Sequence, residues 1–266
     1  MPDDMPDERE YRLMITSDVE DYGGRRDGDQ VELQKTLIRL FDLAAGAAGL
    51  ALLDWKRQPQ GDGEFTVLPP GTDTTAVLGP FITALAQGVE AVNEGRFRTR
   101  LRLAVHGGHI HVDGAAGSPG GHAVQSGRLV GADPLRAAMS ACPQAGLGVI
   151  VSDRIFEDFV GQGYGGPSPE DFRHVQVKAK SQQYRAYVHL PGHNVHRLSE
   201  LDEYDVDPKA DKEMGEAEES TRSGKVSAGR DYYGGSTNTA SGNGVVVSGG
   251  RDAFFGGDRR RGRPSR

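Results

Sequence analysis

The hydrophobic positions fall into short patterned runs separated by polar or glycine-rich breaks. Leu13-Met14-Ile15 is a continuous apolar run and predicts a buried strand over about Tyr11–Thr16. A charged, glycine-containing loop (residues 23–30) follows. Leu33, Leu37, Leu40, Phe41, Ala44 and Ala48 then fall on one face of a helix. Leu50–Trp55 and Glu64–Leu68 predict two strands joined by the polar turn KRQPQGDG, and Pro69-Pro70-Gly71 ends the second. A second helix spans about Thr74–Asn93, with Leu78, Phe81, Ile82, Leu85 and Val89 as its buried stripe.

Arg100-Leu101-Arg102-Leu103-Ala104-Val105 alternates, as a strand with one wet face does. Gly107-Gly108 predicts a turn into a hairpin partner, His109–Val112. After a glycine-rich loop (residues 114–121), helices are expected over Ala123–Leu129 and from Pro134 to about Ala141. Leu147–Val151 reads as a buried strand, and Ser152-Asp153 as the cap of a short helix reaching Val160. Phe172–Lys178 and Tyr184–Leu190 are the closing strands, and the folded body is expected to end near Gly192. The order β-α-β-β-α-β-α-β-α-β-β predicts an α+β sandwich with one central sheet and helices on one or both faces.

Composition divides the chain further. Of 266 residues, 38 are glycine, crowded toward the C-terminus, which argues for a folded body and a low-complexity tail. Residues 1–9 read as a disordered leader without the apolar core of a secretory signal. No apolar run reads as long enough to span a bilayer. The net charge of -7 predicts no nucleic-acid footprint for the whole chain. The single cysteine, Cys142, excludes an intramolecular disulfide framework and suits a reducing, cytoplasmic compartment.

Residues 193–224 read as an acidic linker. Within 225–257 a motif repeats: Val226–Gly235 (VSAGRDYYGG) returns as Val247–Gly257 (VSGGRDAFFGG). Between the copies lies STNTASGNGVVV, whose valine run and asparagines fit stacked cross-β chains. Residues 258–266 are a basic tail, read as solvated.

The candidate chemistry gathers at two acidic breaks. Asp18, Glu20 and Asp21 follow the first strand directly, and Asp62 lies in Gly61-Asp62-Gly63 between two strands. An acid at a strand's carboxyl end, beside a glycine turn, faces the crevice where ligands bind in open sheets. His109 and His111 share one face but have no evident third ligand, so a wet strand face is the expectation. His106 reads as a structural residue at the turn, and Cys142 as inert.

These motifs, in this order, resemble class III nucleotidyl (adenylyl and guanylyl) cyclases. Ile15–Gly23 resembles their first metal-binding strand and Gly61-Asp62-Gly63 their second metal motif. Leu103–Gly108 is similar to the family's Val/Ile-Gly-Ile-His-x-Gly strand, and Ala123–Leu129 to its Ala-Val-Asn-x-Ala-x-Arg-Leu helix. The whole resembles the divergent cyclase-like domains of actinobacterial proteins. The resemblance covers about Tyr11–Pro191 and implies a ferredoxin-like, nucleotidyl-cyclase-like sandwich with a mostly antiparallel sheet, built as a homodimer.

It further implies a nucleoside triphosphate as substrate and two divalent cations, Mg2+ or Mn2+, held by Asp18, Asp62 and the backbone carbonyl of Val19. Arg128 would meet charge developing at the α-phosphate. Lys56, Gly61 and Gln125 are the candidate substrate contacts. The departures are specific. Val124 stands where the family has asparagine, and Gln125 replaces it only if the helix register shifts. Gln58 stands where a base-reading lysine is usual, with Lys56 and Arg57 displaced from it. Three readings stay open: a divergent cyclase, a nucleotide sensor, and a catalytically inactive scaffold or adaptor. The tail resembles RHIM-like amyloid signalling motifs of bacterial defence proteins, which implies an amyloid-type partner.

Overall fold

The computed structural model describes residues 9–95, 98–112, 117–180 and 182–206, together with two short strands at 238–241 and 244–247. The chain divides into two units, Met1–Asp211 and Lys212–Arg266.

The first unit is built on one seven-stranded sheet. In chain order its elements are β1 (Arg9–Val19), α1 (Asp27–Ala47), β2 (Lys56–Pro59), β3 (Gly63–Val67), α2 (Thr74–Ala76), α3 (Ile82–Asn93), β4 (Leu101–His111), α4 (Gly121–Val130), α5 (Asp133–Ala141), β5 (Leu147–Ser152), α6 (Asp153–Ile155), β6 (Arg173–Ala179) and β7 (Gln182–His189). The strand order is β2-β3-β1-β4-β5-β7-β6. Among the described residues only β4 and β5 pair in parallel. The α+β sandwich expected from the element order is therefore the observed architecture.

Alternation along the strands sends side chains to two cores. Leu13, Ile15, Leu103, Val105, Val149 and Val151 meet α1 and α3 on one face. Ala104, Ile150, Val175 and Ala186 meet α4 and α5 on the other. Helices thus cover both faces. In α1 the stripe Leu33, Leu37, Leu40, Phe41 and Ala44 is buried as its spacing dictates. Thr74–Asn93 passes the length and hydropathy test for a membrane span, contrary to the expectation that no run would. Its stripe Leu78, Phe81, Ile82, Leu85 and Val89 is spent on the core instead. Residues 77–81 form a π turn around Pro80, which has no N–H to continue the α ladder.

Several local expectations are corrected. Ser17 does not end β1, which runs on through Asp18 to Val19 because both neighbouring strands pair with it there. Leu50–Trp55 is not a strand: residues 52–54 form a 3-10 turn and Leu53 is 99% exposed. The hairpin's first strand instead begins at Lys56, inside the stretch read as turn. Gly107-Gly108 makes no hairpin, for β4 passes straight through it and pairs with β1 as far as His111. Nor is one face of β4 wet, since Arg102 and Ala104 lie under the α4–α5 layer's side of the sheet beside Asp18 and Thr16. Ser152 holds the cap position of α6, yet its Oγ is buried and makes no bond to the helix.

Residues 193–206, expected to open the linker, pack against the body. Val195 and Leu201 are buried, and Val175 bridges to Asp205. Arg173 donates to the Leu198 carbonyl at 2.7 Å and to the Asp202 and Asp205 carboxylates.

In the second unit β8 (Asn238–Ser241) and β9 (Gly244–Val247) pair antiparallel, with Thr239 opposite Val246. The leader up to residue 8, the linker from 207, both copies of the repeated motif except Val247, and the basic tail lie outside the described residues.

Candidate functional site

The carboxyl end of β1 and the β2–β3 turn are pressed together by backbone geometry. A Cβ on Gly63 would fall 1.9 Å from the Ser17 carbonyl oxygen, so only glycine permits this approach. Gly61 sits at φ +83°, in the left-handed region that glycine enters freely. The Val19 N–H donates to the Asp62 carbonyl at 2.8 Å. Gln34 of α1 donates from Nε2 to the Gly61 carbonyl at 3.1 Å and to the Tyr22 hydroxyl at 2.8 Å. Asp62 is thereby held beside Asp18, near enough for their charges to interact.

What meets these acids is a pair of arginines. Asp18 of β1 lies opposite Arg102 of β4 in antiparallel register, and just past the strand ends the Glu20 N–H donates to the Arg100 carbonyl at 3.0 Å. Arg102 pairs with Asp18, their side chains 11% and 22% exposed. Arg100 pairs with Glu20 at 2.7 Å. Arg100 also donates to the Ala145 carbonyl at 3.1 Å and to the Met139 and Cys142 carbonyls at the end of α5. Burial pushes the Asp18 carboxyl above its ordinary range, the adjacent Arg102 pulls it back, and Asp62 pushes it up again.

The residues present do not fit a pair of divalent cations. Asp18 is already engaged by the Arg102 guanidinium. A cation at Asp18 would leave Arg102 buried and unpaired, at a cost of about 3–5 kcal/mol.

The remaining candidates lie elsewhere. Lys56 opens β2 opposite Val67, at the end away from the Asp62 turn. Gln58 and Gln60 line a hollow of about 370 Å³ with Thr16, Phe65, Ser118 and Val124. Helix α4 is fixed over this hollow by a 2.7 Å bond between the Ser126 and Thr16 hydroxyls. Val124 is 53% exposed, and Gln125 is half-buried on the same helix. Arg128 reaches β7: it donates to the Gln182 amide oxygen and the Tyr184 hydroxyl, its guanidinium 5.9 Å from the Tyr184 ring centre. The structure therefore joins Asp18, Val19, Gly61 and Asp62 in one place, and sets Lys56 and Arg128 with other partners.

Sequence reasoning missed two features. One is the Arg100/Arg102 pair, although its two-residue spacing matched that of Asp18 and Glu20. The other is a histidine pair, His106 Nε2 to His122 Nδ1 at 2.9 Å, for which sequence carries no signal.

No protein-family model matches the chain, and no curated protein matches it. Solved structures do. An adenylate/guanylate cyclase/hydrolase from Silicibacter pomeroyi has a TM-score of 0.51 at 20% identity, over 70% of this chain and 99% of that one. The adenylyl cyclase CyaB from P. aeruginosa has a TM-score of 0.47 at 14% identity, over 68% and 93%. The guanylate cyclase domain of RhGC from Catenaria anguillulae, in complex with GTP, has a TM-score of 0.44 at 15% identity, over 67% and 95%. The first of these likenesses shows a cyclase-like fold for the first unit.

Proposed function

We propose that this chain is a cytoplasmic signalling protein of the divergent actinobacterial cyclase-like type, whose domain is catalytically silent and acts by association as a homodimer. The observation that carries this reading is the Asp18–Arg102 pair. The fixed positive charge of Arg102 stands against the carboxylate that a cyclase would give to its cation, and Glu20 is answered in the same way by Arg100. Val124 and Gln58 add to the reading, because neither supplies the asparagine or lysine contact that the family uses. Arg128, already bonded to Gln182 and Tyr184, is a further departure from a waiting phosphate ligand.

A second reading, nucleotide sensing without turnover, is favoured by the hollow around Gln58, Gln60 and Ser118, which has polar groups able to meet a base edge. Signal output is assigned to the tail, whose repeated aromatic motif would self-assemble with a RHIM-like partner segment.

The experiment is incubation of the purified full chain with each of the four common nucleoside triphosphates and Mn2+, read by mass spectrometry. No cyclic product is expected. A cyclic product that disappears in Asp62→Ala would overturn the silent reading and make the chain an enzyme. A nucleotide-dependent rise in melting temperature without product would select the sensor.

A further inference from the structure

A second hollow, of about 630 Å³, shares no lining residue with the Gln58 hollow and does not include Asp18, Asp62 or Arg128. Its size is that of a small-molecule site. Trp55, Pro69, Pro70 and Val112 give part of the wall an apolar surface, and Asp54 and Lys56 give part of it a charged one. Arg12 also lines it. The β1–β3 pairing begins only at Met14, so Arg12 lies beyond the last rung of that ladder. Its side chain is 10% exposed.

The guanidinium is incompletely satisfied. One terminal nitrogen pairs with Glu10, whose own side chain is 48% exposed. The Nε is buried and has no acceptor among the described residues. Lys56 and Asp54 stand at the same hollow, so the surrounding charge is balanced and suits one negative charge better than two. Leu53, 99% exposed beside the opening, is an apolar side chain with nothing to cover in the free protein.

We infer that the Arg12 hollow binds a small organic carboxylate with an apolar body. The planar guanidinium suits a carboxylate, to whose oxygens it donates. The proline, tryptophan and valine walls take the hydrocarbon part out of water. A bare inorganic anion would keep its hydration and gain nothing from those walls. This site is independent of the cyclase-like reading, so either can fail without the other.

The chain has a single tryptophan, Trp55, which makes its emission a local reporter of this hollow. The full chain is titrated with cyclohexanecarboxylate, with the neutral cyclohexanemethanol, and with inorganic phosphate, none of which absorbs at the excitation wavelength. A saturable change is expected with the carboxylate, at least tenfold weaker binding of the alcohol, and no response to phosphate. Arg12→Met abolishes the response. Val112→Phe, which fills the hollow and leaves the guanidinium in place, weakens binding at least tenfold; it decides the matter if Arg12→Met fails to fold. The inference is overturned by no saturable response to the carboxylate, by equal binding of the alcohol, by a response to phosphate like that to the carboxylate, or by unchanged binding in Val112→Phe or in a folded Arg12→Met.

Discussion

His106 lies in the middle of β4, 2% exposed, with its Nε2 against His122 and its Nδ1 buried without a partner. Burial is the main reason its pKa is held down to about 3, and the neighbouring His122 and Arg154 add to it. The sign follows from linkage. The unfolded imidazole takes up a proton near 6.5 and the folded one does not, so stability is intact above pH 6.5 and is lost as pH falls toward 3. His122 and His189, also lowered chiefly by burial, act in the same direction. Urea unfolding should show about 2 kcal/mol less stability at pH 5 than at pH 7 from His106 alone. In His106→Gln that loss should shrink by most of this amount. An unchanged pH dependence would show that His106 does not titrate in this way. The sequence offered His106 only as a turn residue, because the partner that fixes its role is on a different element.

Strand β4 shows how an element can be misread from its own residues. Two adjacent glycines after an alternating run are an ordinary hairpin signal, yet here the strand continues and the glycines serve its neighbours. A Cβ on Gly107 would fall 2.2 Å from the Tyr11 hydroxyl, and one on Gly108 2.2 Å from Cγ of the His122 ring. The room is needed because α4 crosses the sheet closely at this point, carrying His122 onto β4. Gly108→Ala should therefore destabilise the domain by about 1–3 kcal/mol through overpacking. Adding His122→Ala should restore a good part of it, since the clash is with that ring alone among the close contacts. The measurement is a double-mutant cycle by denaturant unfolding, and strict additivity would contradict the account. By contrast α1 was legible in its core-facing stripe, because five of the six positions read from the spacing are buried in it, and only Ala48, half-buried just past the helix end, falls outside.

At the scale of the molecule, the chain beyond β7 is part of the body for longer than its acidic composition suggests. The segment through Asp205 is held by Arg173, which is 7% exposed and bonds two carboxylates and a carbonyl of that segment. Val195 and Leu201 complete the core under α5. A chain ending at Val206 should melt within a few degrees of the full chain, while one ending at Gly192 should lose several kcal/mol, about the cost of removing two buried aliphatic side chains and unpairing Arg173. The Val206 chain should also be unable to form the thioflavin-positive fibrils proposed for the tail, which the full chain should form and its Val246→Asp variant should not. Circular dichroism melting and fibril seeding read both. Fibrils from the Val206 chain, or none from the full chain, would remove the tail proposal.

The sequence by itself determined most of the elements outside Leu50–Trp55 and the Gly107-Gly108 break, the buried stripes of α1 and the Thr74–Asn93 helix, and the glycine-bounded turn at Asp62. Each of these is a local matter: periodicity assigns a face, and a residue in the left-handed region or pressed against a neighbouring carbonyl must be glycine. Only the tertiary structure decided what the acids at the end of β1 do. Their partners lie far along the chain, Arg100 being 80 residues from Glu20. They meet them only because β4 lies antiparallel to β1 in one register out of many. A shift of one residue would have turned the arginines to the opposite face and left Asp18 free for a cation. Strand register, set by the packing of the whole sheet, converts a run of residues that resembles a metal site into an internal salt bridge.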